Sequence, residues 1–447
     1  MRNAVAAIFT CQNEIFSITR QTYLRAFPGY TAFPGGKVDE GDEAFAIDHP
    51  LTASFPSVEI GALVREVREE LGFDLVDAFD KAIVKQISKF GTAVTPATQA
   101  IRFNAHFYKV ELTEKPIFTP DEGEIHACGW LDSSAFWEKY ASGNALMVKP
   151  TMLTARALAE DISQSSIHPF SEAPEVSTIP MLEHLCGLHH IAVPSNTLPP
   201  ATTTNALLIG SEGGRRVLTD PSPASKDVLE RLINTLKNTL PDALLLTHHH
   251  PDHHEYAPDL AKHLGVPILC TRTTERRIKA RWGNDYFAGI EIQYVQQDDV
   301  ITQWLGHDVI CHELPGHDDG MVGLAAANMA WFYVADLVEA GTTVVIPEGE
   351  GDMAVYFASL ERVIGMKPKV VIPSHGLPSG STHLLEKTLK HRQKREQQVK
   401  VAYEEGLRDR QLTDSLYPDL SPGLIPYAEQ NIRQHLRKLG YLEAFSE

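Results

Sequence analysis

Patterns of apolar and polar residues divide the chain into predicted elements. Near the N-terminus, the runs AVAAIF, EIFSITR and IRFNAHFYKVEL have the character of strands. The stretch PSVEIGALVREVREELGF predicts a helix, with Ser57 as its N-cap and Gly72 at its end. The predicted apolar stripe of this helix consists of Ile60, Leu63, Val64, Val67 and Leu71.

In the middle of the chain, strand-like and helix-like patterns alternate. The runs NALLIG, ALLLTH, VPILCT and VVIPSH are typical of strands, whereas SKDVLERLINTLKNTL and MAVYFASLERVI are typical of helices. This alternation predicts an α/β layered domain. After VVIPSH, the stretch LLEKTLKHRQKREQQVKVAYEEGL predicts a long helix that opens a small third unit.

A change in composition marks the first domain boundary. The segment 161–180 is rich in Ser, Pro and Glu and has no apolar periodicity, which is typical of a linker. The predicted organisation is a first domain over 1–160, a linker over 161–180, a second domain over 181–380 and a C-terminal domain over 381–447. We expect a multidomain protein of the α/β and α+β classes.

Composition and charge narrow the range of partners. The formal net charge of -18 repels nucleic acid at long range unless basic residues cluster locally. The five cysteines form no C-x-x-C pair, which fits a reducing cytoplasm better than a disulfide framework. Because no run of about 18 apolar residues occurs, we expect a cytoplasmic chain with no membrane partner.

Histidines crowd the end of one predicted strand. The stretch LLLTHHHPDHHEYAPDL places His248, His250, Asp252 and His253 directly after an apolar run. Imidazole nitrogens with one or two carboxylates suit zinc, although a chance surface cluster or a chelating patch remains an alternative. Three more candidate ligands stand in ELPGHDDG, FYVADLVE and VVIPSHG, namely His317, Asp336 and His375.

This set of residues, in this order, resembles the metallo-β-lactamase superfamily over about 180–380. The resemblance implies an αββα sandwich that binds two zinc ions. One ion would take His248, His250 and His317; the other would take Asp252, His253 and His375; and Asp336 would bridge both. His249 and His254 match no ligand position, so we expect them to be flanking residues.

Two such ions acidify a shared water toward a pKa of about 7. The resemblance therefore implies hydrolysis of an ester, thioester, amide or phosphodiester, with Asp252 as a catalytic residue that also steers the attacking group. The fold itself does not select among these substrates.

A second candidate motif lies near the N-terminus, where TAFPGGKVDEGDE is followed by REVREELGF. Glu66, Glu69 and Glu70 stand at i, i+3 and i+4, so they share one helical face. Such like charges repel unless a hard cation such as Mg²⁺ neutralises them. An ordinary acidic helix face is the alternative.

The region 1 to about 160 resembles the Nudix hydrolases, through Arg65 before these glutamates, Gly72 and Phe73 after them, and Gly35 and Gly36 upstream. The resemblance implies an α/β/α sandwich that cleaves a diphosphate with Mg²⁺ or Mn²⁺. The implied metal ligands are Glu66, Glu69 and Glu70, the implied catalytic residues are Glu69, Glu70 and Arg65, and the implied substrate-binding residues are Gly35, Gly36 and Glu124.

Two features depart from the Nudix pattern. Asp42 stands where the family usually has a glutamate, and extra residues separate it from the helix. Insertions at this place recur in a Nudix subset that includes coenzyme A diphosphatases.

The C-terminal part, together with EAGTTVV and PGHDDGM, resembles a metallo-β-lactamase-like branch that carries a C-terminal winged helix. That branch includes single-strand-specific endoribonucleases and, in relatives, thioesterases. The long helix clusters basic residues that either track phosphates or form a solvated face. These residues are Lys387, Lys390, Arg392, Lys394, Arg395 and Lys400.

These observations predict a hydrolase with two catalytic centres. One would cleave diphosphates of coenzyme A or nucleotide derivatives, and the zinc centre would act on thioesters or related esters. The alternative is a zinc-dependent endoribonuclease of single-stranded RNA with an accessory Nudix domain. A third hypothesis is that one centre serves only as a binding module, and Asp42 and the insertion point to the Nudix one.

Overall fold

The computed structural model describes residues 1–95, 102–168, 170, 175–211 and 213–442. By its internal contacts the chain divides into two compact units. The first comprises Met1–Val176 and Leu182–Cys186, and the second comprises Ser177–Met181 and Gly187–Glu447.

The first unit is built on a mixed sheet with the strand order β3-β2-β1-β5-β4, to which β6 adds by pairing with β2. Strands β1 and β5 are parallel, and β4 is antiparallel to β5. The elements are β1 (Arg2–Cys11), β2 (Glu14–Arg20), β3 (Thr31–Ala32), α1 (Ser57–Leu71), α2 (Leu75–Asp80), β4 (Val84–Val94), β5 (Phe103–Leu112), β6 (Ile125–Asp132), α3 (Ser133–Ala141) and α4 (Lys149–Glu160), with a 3-10 turn at Asp42–Phe45.

Helix α1 carries the three glutamates predicted as metal ligands, Glu66, Glu69 and Glu70. All five residues of the predicted apolar stripe are buried in the core of the unit. Gly72 ends the helix in the left-handed conformation with φ 60°, as predicted. The predicted cap was wrong, because Ser57 is the first helical residue and Pro56 occupies the N-cap position without a side-chain hydrogen bond.

The segment predicted as a linker packs in part against the first unit. Phe170 is buried beside Phe90 and Phe107, and the amide of Ile167 donates to the carbonyl of Phe90. Residues 169 and 171–174 of the segment lie outside the described residues. The division between the units falls after Val176.

The second unit contains two sheets. Its strands are β8 (Leu188–Pro194), β9 (Thr203–Ile209), β10 (Val217–Thr219), β11 (Ala243–Leu245), β12 (Ile268–Cys270), β13 (Ile292–Tyr294), β14 (Val300–Trp304), β15 (His307–Glu313), β16 (Val322–Ala326), β17 (Phe332–Ala335), β18 (Val370–Pro373) and β19 (Ser379–Gly380), and β7 (Met181–Leu185) lies across the division. Its helices are α5 (Lys226–Leu236), α6 (Pro251–His254), α7 (Ala257–Leu264), α8 (Arg272–Trp282), α9 (Met353–Met366), α10 (His383–Glu404), α11 (Asp409–Leu416) and α12 (Ile425–Lys438), with 3-10 turns at Asn284–Phe287 and Pro422–Leu424.

Each sheet of this unit has its own buried cluster. One sheet runs β13-β12-β11-β10-β9-β8 within the unit, with β10 to β13 parallel, and its cluster includes Leu218, Leu244 and Ile268. The other runs β14-β15-β16-β17-β18-β19, and its cluster includes Phe332 and Val371. The α/β layering predicted for the middle of the chain is confirmed.

The C-terminal part consists of three packed helices. Helix α10 is the predicted long helix, and its Val399 packs with Leu412 and Ile432 of the other two. Within residues 381–442 the structure gives these helices and no strand, so the β-stranded wing of the predicted winged helix is absent from these residues.

Candidate metal centres

The histidine cluster follows a buried strand and continues into a short helix. Strand β11 is followed by His248 and His250, and α6 then carries Asp252 and His253. Alternate residues of an extended segment face one side, and the helical turn returns the chain to that side. A short stretch of sequence therefore supplies four side chains to one point.

The other candidate ligands come from the second sheet of the unit. Asp336 directly follows β17, His375 follows β18, and His317 lies on a turn after β15. Strands β17 and β18 are parallel neighbours, so their carboxyl ends meet at one edge. The turn needs Gly316, because a Cβ there would lie 2.3 Å from the Cα of Tyr356, and its φ is +134°.

One group of nitrogens is formed by His248, His250 and His317. The Nδ1 atom of His250 lies 3.1 Å from Nε2 of His248 and 2.9 Å from Nε2 of His317. The ligand atoms of the three residues all lie within 4.8 Å of one another. A cation placed among these nitrogens would satisfy all three.

A second group is formed by Asp252, His253 and His375, whose ligand atoms also lie within 4.8 Å of one another. The Oδ2 atom of Asp252 lies 3.8 Å from Nε2 of His253 and 3.5 Å from Nε2 of His375. Asp252 is the more exposed member, since the two imidazoles are buried.

Asp336 contacts both groups. Its Oδ2 atom lies 3.7 Å from Nε2 of His317 and 3.4 Å from Nε2 of His253. Its Oδ1 atom lies 3.5 Å from Nε2 of His375. Within the described residues, Oδ1 of Asp336 and Nε2 of His253 are buried without a hydrogen-bond partner of good geometry, as expected of atoms that face a metal.

Each of the five imidazoles has its other nitrogen engaged by the protein. This arrangement fixes the ring direction and leaves one nitrogen for a metal. The engaged pairs are His248 Nδ1 with Thr247 Oγ1 at 3.0 Å, His250 Nε2 with Glu350 Oε2 at 3.1 Å, His253 Nδ1 with Asp220 Oδ2 at 3.1 Å, His317 Nδ1 with the Val345 carbonyl at 2.7 Å, and His375 Nδ1 with the Thr203 carbonyl at 2.9 Å. The donor set fits two divalent cations such as zinc.

The first unit carries the second candidate centre on α1. Arg65 holds Asp42 through Nε at 2.6 Å and Nη2 at 3.1 Å, and its Nη1 lies 2.9 Å from Glu66 and 3.0 Å from Glu69. Asp42 is buried, and Arg65 lowers the pKa of its carboxyl. In this chain Asp42 therefore pairs with the arginine that orders the glutamates.

The glycines and the remaining carboxylates lie close to the same place. The amide of Gly35 donates to Oε2 of Glu70 at 2.9 Å, and a Cβ on Gly36 would lie 2.3 Å from Oε1 of Glu66. Burial and the charges of Glu66 and Glu124 raise the pKa of Glu70 to about 8. Glu69 of α1 and Glu124, which precedes β6, are exposed, whereas Glu70 is buried.

Comparisons with known proteins bear on the second unit. Residues 199–375 match the family model described as Metallo-beta-lactamase superfamily. The chain contains a metallo-beta-lactamase domain. The Beta-lactamase-like protein 2 homolog of Drosophila melanogaster is 28% identical over 260 residues, which are 53% of this chain and 82% of the relative.

One solved structure bears on the fold of the metallo-beta-lactamase domain. A Beta-lactamase domain protein from Burkholderia ambifaria has a TM-score of 0.50 and 19% identity, covering 61% of this chain and 91% of that chain. A NUDIX hydrolase from Alicyclobacillus acidocaldarius has a TM-score of 0.32 and 23% identity, covering 38% of this chain and 98% of that chain. The resemblance of the first unit to the Nudix hydrolases stays a prediction from its motif. No described helix is both long and apolar enough to span a membrane.

Two acidic residues that the sequence analysis did not single out contact the candidate ligands of the metallo-beta-lactamase domain. Asp220 is buried and accepts from the Thr247 amide at 2.8 Å as well as contacting His253. Glu350 contacts His250 and lies 3.3 Å from Nε2 of His249. Asp220 directly follows β10, so its place at a strand end is a signal that could have found it, whereas Glu350 lies in a turn and has no such signal.

His249 and His254 flank the candidate ligands and are both buried. His249 is buried and forms an ion pair with Asp318, and burial alone would lower its pKa, whereas Asp318 and Glu350 raise it to about 9. His254 is buried between the hydroxyl of Tyr286 at 2.7 Å and the His249 carbonyl at 3.0 Å. These contacts hold His249 and His254 in place on either side of His250, Asp252 and His253.

Electrostatics within the metallo-beta-lactamase domain favour a cation. Burial opposes ionisation of Asp336, yet His253 and His375 hold its pKa well below the usual range. Burial and the neighbouring His253 and His250 hold the pKa of His248 well below its usual range. Glu339 is half-buried, groups with Asp336 and His375, and has its pKa raised to about 7 by burial and the Asp336 charge.

The basic helix α10 does not present all the predicted phosphate contacts. Arg392 is buried and donates to the Val344 carbonyl, and Arg395 donates to the Leu416 carbonyl at 2.9 Å over the ring of Tyr417. Backbone carbonyls and tyrosine rings engage these two guanidinium groups, so Arg392 and Arg395 do not form part of an exposed phosphate track. Three lysines of the set are exposed, namely Lys387, Lys390 and Lys394, whereas Lys400 is half-buried.

Proposed function

We propose that the chain is a metal-dependent hydrolase with a dinuclear zinc centre in the second unit and a Mg²⁺ or Mn²⁺ diphosphatase centre in the first. The observation that carries the zinc proposal is the orientation of five imidazoles. In each of them one ring nitrogen is engaged by a protein oxygen, and the other faces the group of candidate ligands. The match to the metallo-beta-lactamase family supports hydrolytic chemistry.

The chain's own residues would divide the work of the zinc centre. His248, His250 and His317 would hold one ion, and Asp252, His253 and His375 the other, with Asp336 shared. Zinc, when bound, supplies Lewis-acid activation of water and of the substrate's reacting oxygen. Asp252 is the more exposed of the two candidate carboxylate ligands, so it is suited to orient the attacking water and to accept its proton.

For the substrate of this centre we favour a thioester or a related ester of a small phosphorylated molecule. A chain with a net charge of -18 repels extended polyanions at long range, whereas a small substrate needs only local contacts. A thioester carrying coenzyme A would also contain the diphosphate that the first unit is proposed to cleave.

In the first unit, Glu66, Glu69 and Glu70 would hold the hard cation, with Glu69 and Glu70 serving in catalysis. Arg65 orders Glu66 and Glu69 by direct ion pairs. The close approach of Gly35 and Gly36 to Glu70 and Glu66 supports a narrow site in which Glu124 contributes to substrate binding.

A parallel assay tests this proposal. The purified chain would be offered acyl-CoAs, nucleoside diphosphate derivatives and single-stranded RNA, with Zn²⁺ and Mg²⁺ varied separately. We expect zinc-dependent release of free thiol and magnesium-dependent release of phosphate monoesters. Metal analysis should find about two zinc ions per chain. A gently purified protein that contains no metal and takes up none would contradict the zinc centre.

A second candidate function is cleavage of single-stranded RNA by the zinc centre. The observation that favours it is the exposed face of α10, on which Lys387, Lys390 and Lys394 stand at i, i+3 and i+7 beside His391. Partial burial and the charges of the neighbouring basic residues lower the pKa of His391.

If RNA is the substrate, replacing these three lysines by serine should weaken its binding. Each lost phosphate contact should reduce the slope of log K against log salt by about 0.7 for a single strand. The measurement is RNA affinity at several salt concentrations. Serine replacement of the exposed Lys226, Lys237 and Lys262 provides a control with the same change in net charge. Equal affinities and slopes for the two variants would contradict an RNA track on α10.

A further inference from the structure

A loop of the metallo-beta-lactamase domain, residues 344–351, connects the histidine cluster to the C-terminal helices. On one side, the carbonyl of Val345 accepts from Nδ1 of His317 at 2.7 Å, and Glu350 lies 3.1 Å from Nε2 of His250. A Cβ on Gly351 would lie 2.7 Å from the carbonyl oxygen of His317. The loop therefore supplies the acceptors that orient two imidazoles of the same group.

On its other side, the loop is held by two buried amide side chains of α12. Asn431 accepts from the amide of Ile346 at 2.9 Å and donates to the carbonyl of Val344 at 3.3 Å. The two bonded groups flank Val345, whose carbonyl meets His317. Asn431 thus fixes the peptide group that contains the acceptor carbonyl of Val345 and the peptide group before it.

Gln434 stands one helical turn after Asn431 and holds the other end of the loop. Its Nε2 donates to the carbonyl of Pro347 at 3.0 Å and to that of Gly351 at 2.9 Å. Between these anchors lies Glu350, the partner of His250. Glu348 in the same stretch is paired with Arg433 at 2.9 Å and with Arg437.

The hydrogen bonds of Asn431 and Gln434 indicate that these residues position the loop rather than only pack α12 against it. Asn431 and Gln434 are only 5% and 2% exposed. Burial of an amide is costly unless its hydrogen bonds are made, and an apolar residue would pack a helix against a loop without that cost. Here the amides bond to the loop backbone beside the residues that orient the ligands.

We propose that Asn431 and Gln434 are positioning residues for the metal held by His248, His250 and His317. The C-terminal helices are on this account part of the hydrolytic centre, because they set the tautomer and direction of His250 and His317 through the loop. This inference rests on the proposed metal-dependent function of the domain.

The test is titration of the metal-free full-length chain with Co²⁺, whose visible absorption reports its ligand geometry. Asn431→Leu and Gln434→Met replace the amides by apolar groups of similar size. We expect the affinity for the first Co²⁺ to fall roughly 10-fold, the lower end of the loss seen for outer-shell partners of metal ligands, with a changed absorption band.

His435→Leu is the matched control. His435 is equally buried on α12 but contacts Glu396 of α10 at 3.3 Å rather than the loop. It should lower the unfolding temperature without changing Co²⁺ affinity or absorption. If Asn431→Leu does not fold, the milder Gln434→Asn retains an amide that is too short to reach both carbonyls and should show the same loss.

Two outcomes would overturn the inference in different ways. Folded Asn431 and Gln434 variants that bind Co²⁺ with wild-type affinity and absorption would show that α12 only packs against the loop, while the proposed centre would stand. A wild-type chain that binds neither Co²⁺ nor Zn²⁺ would remove the proposed function and this inference with it.

Discussion

Replacing Asp252 by alanine is expected to lower zinc-dependent hydrolysis by at least about 10-fold to 100-fold, the scale typical of lost metal-site support. Asp252 lies between His253 and His375 and is the more exposed of the two candidate carboxylate ligands. The substitution removes a ligand of one ion together with the group best placed to orient the attacking water. The measurement is kcat and KM on the best thioester substrate, with zinc content determined on the same sample.

The control for this variant is Asp227→Ala, which removes an exposed aspartate from the first turn of α5 in the same unit. Its zinc-dependent turnover should match that of the wild type. Magnesium-dependent cleavage of diphosphates should survive in Asp252→Ala, because Glu66, Glu69 and Glu70 form a carboxylate set of their own. Loss of both reactions in a folded Asp252→Ala protein would contradict two separate centres.

Replacing Glu69 by glutamine is expected to abolish the magnesium-dependent reaction. Glu69 is 60% exposed in its side chain and forms an ion pair with Arg65, which also holds Glu66. The amide keeps the shape of the side chain but removes one charge from the cluster that would neutralise a hard cation bearing phosphates. We expect at least about a 100-fold fall in turnover of a nucleoside diphosphate derivative, the upper end of the range for lost metal-site support.

Glu138→Gln is the matched control, since Glu138 is an exposed glutamate on α3 of the same unit. It should leave the magnesium-dependent reaction unchanged. Zinc-dependent turnover should stay near the wild-type value in both variants. If Glu69→Gln retains full diphosphate cleavage, then α1 is an ordinary acidic helix and the first unit acts as a binding module or not at all.

Much of the local structure was predictable from short-range patterns. The apolar stripe of α1 is buried as its helical spacing predicts, and Gly72 ends that helix because glycine adopts the left-handed conformation easily. The seven residues predicted as zinc ligands come together because each follows a strand, either directly, on a turn or on the short helix α6, and the sheet order decides which of these segments meet. Their roles as ligands remain predictions.

Short-range patterns did not predict the N-cap of α1 or the contacts of the basic side chains on α10. Ser57 lies inside α1, because Pro56 takes the N-cap position. Arg392 and Arg395 have the same type of side chain as a phosphate contact, yet both are engaged by carbonyls of distant segments. Such outcomes depend on which neighbours the fold brings to a side chain, and charge alone does not specify them.

The sequence by itself determined which side chains are available for chemistry, because the type, order and spacing of the histidines and carboxylates are properties of the chain. Only the tertiary structure decided which nitrogen of each imidazole faces the cluster, since that choice depends on partners far away in sequence. Glu350 lies 100 residues beyond His250, and Asn431 lies 85 residues beyond the Ile346 amide that it accepts from. Hydrogen-bond partners at such separations are set by packing, which no local pattern encodes.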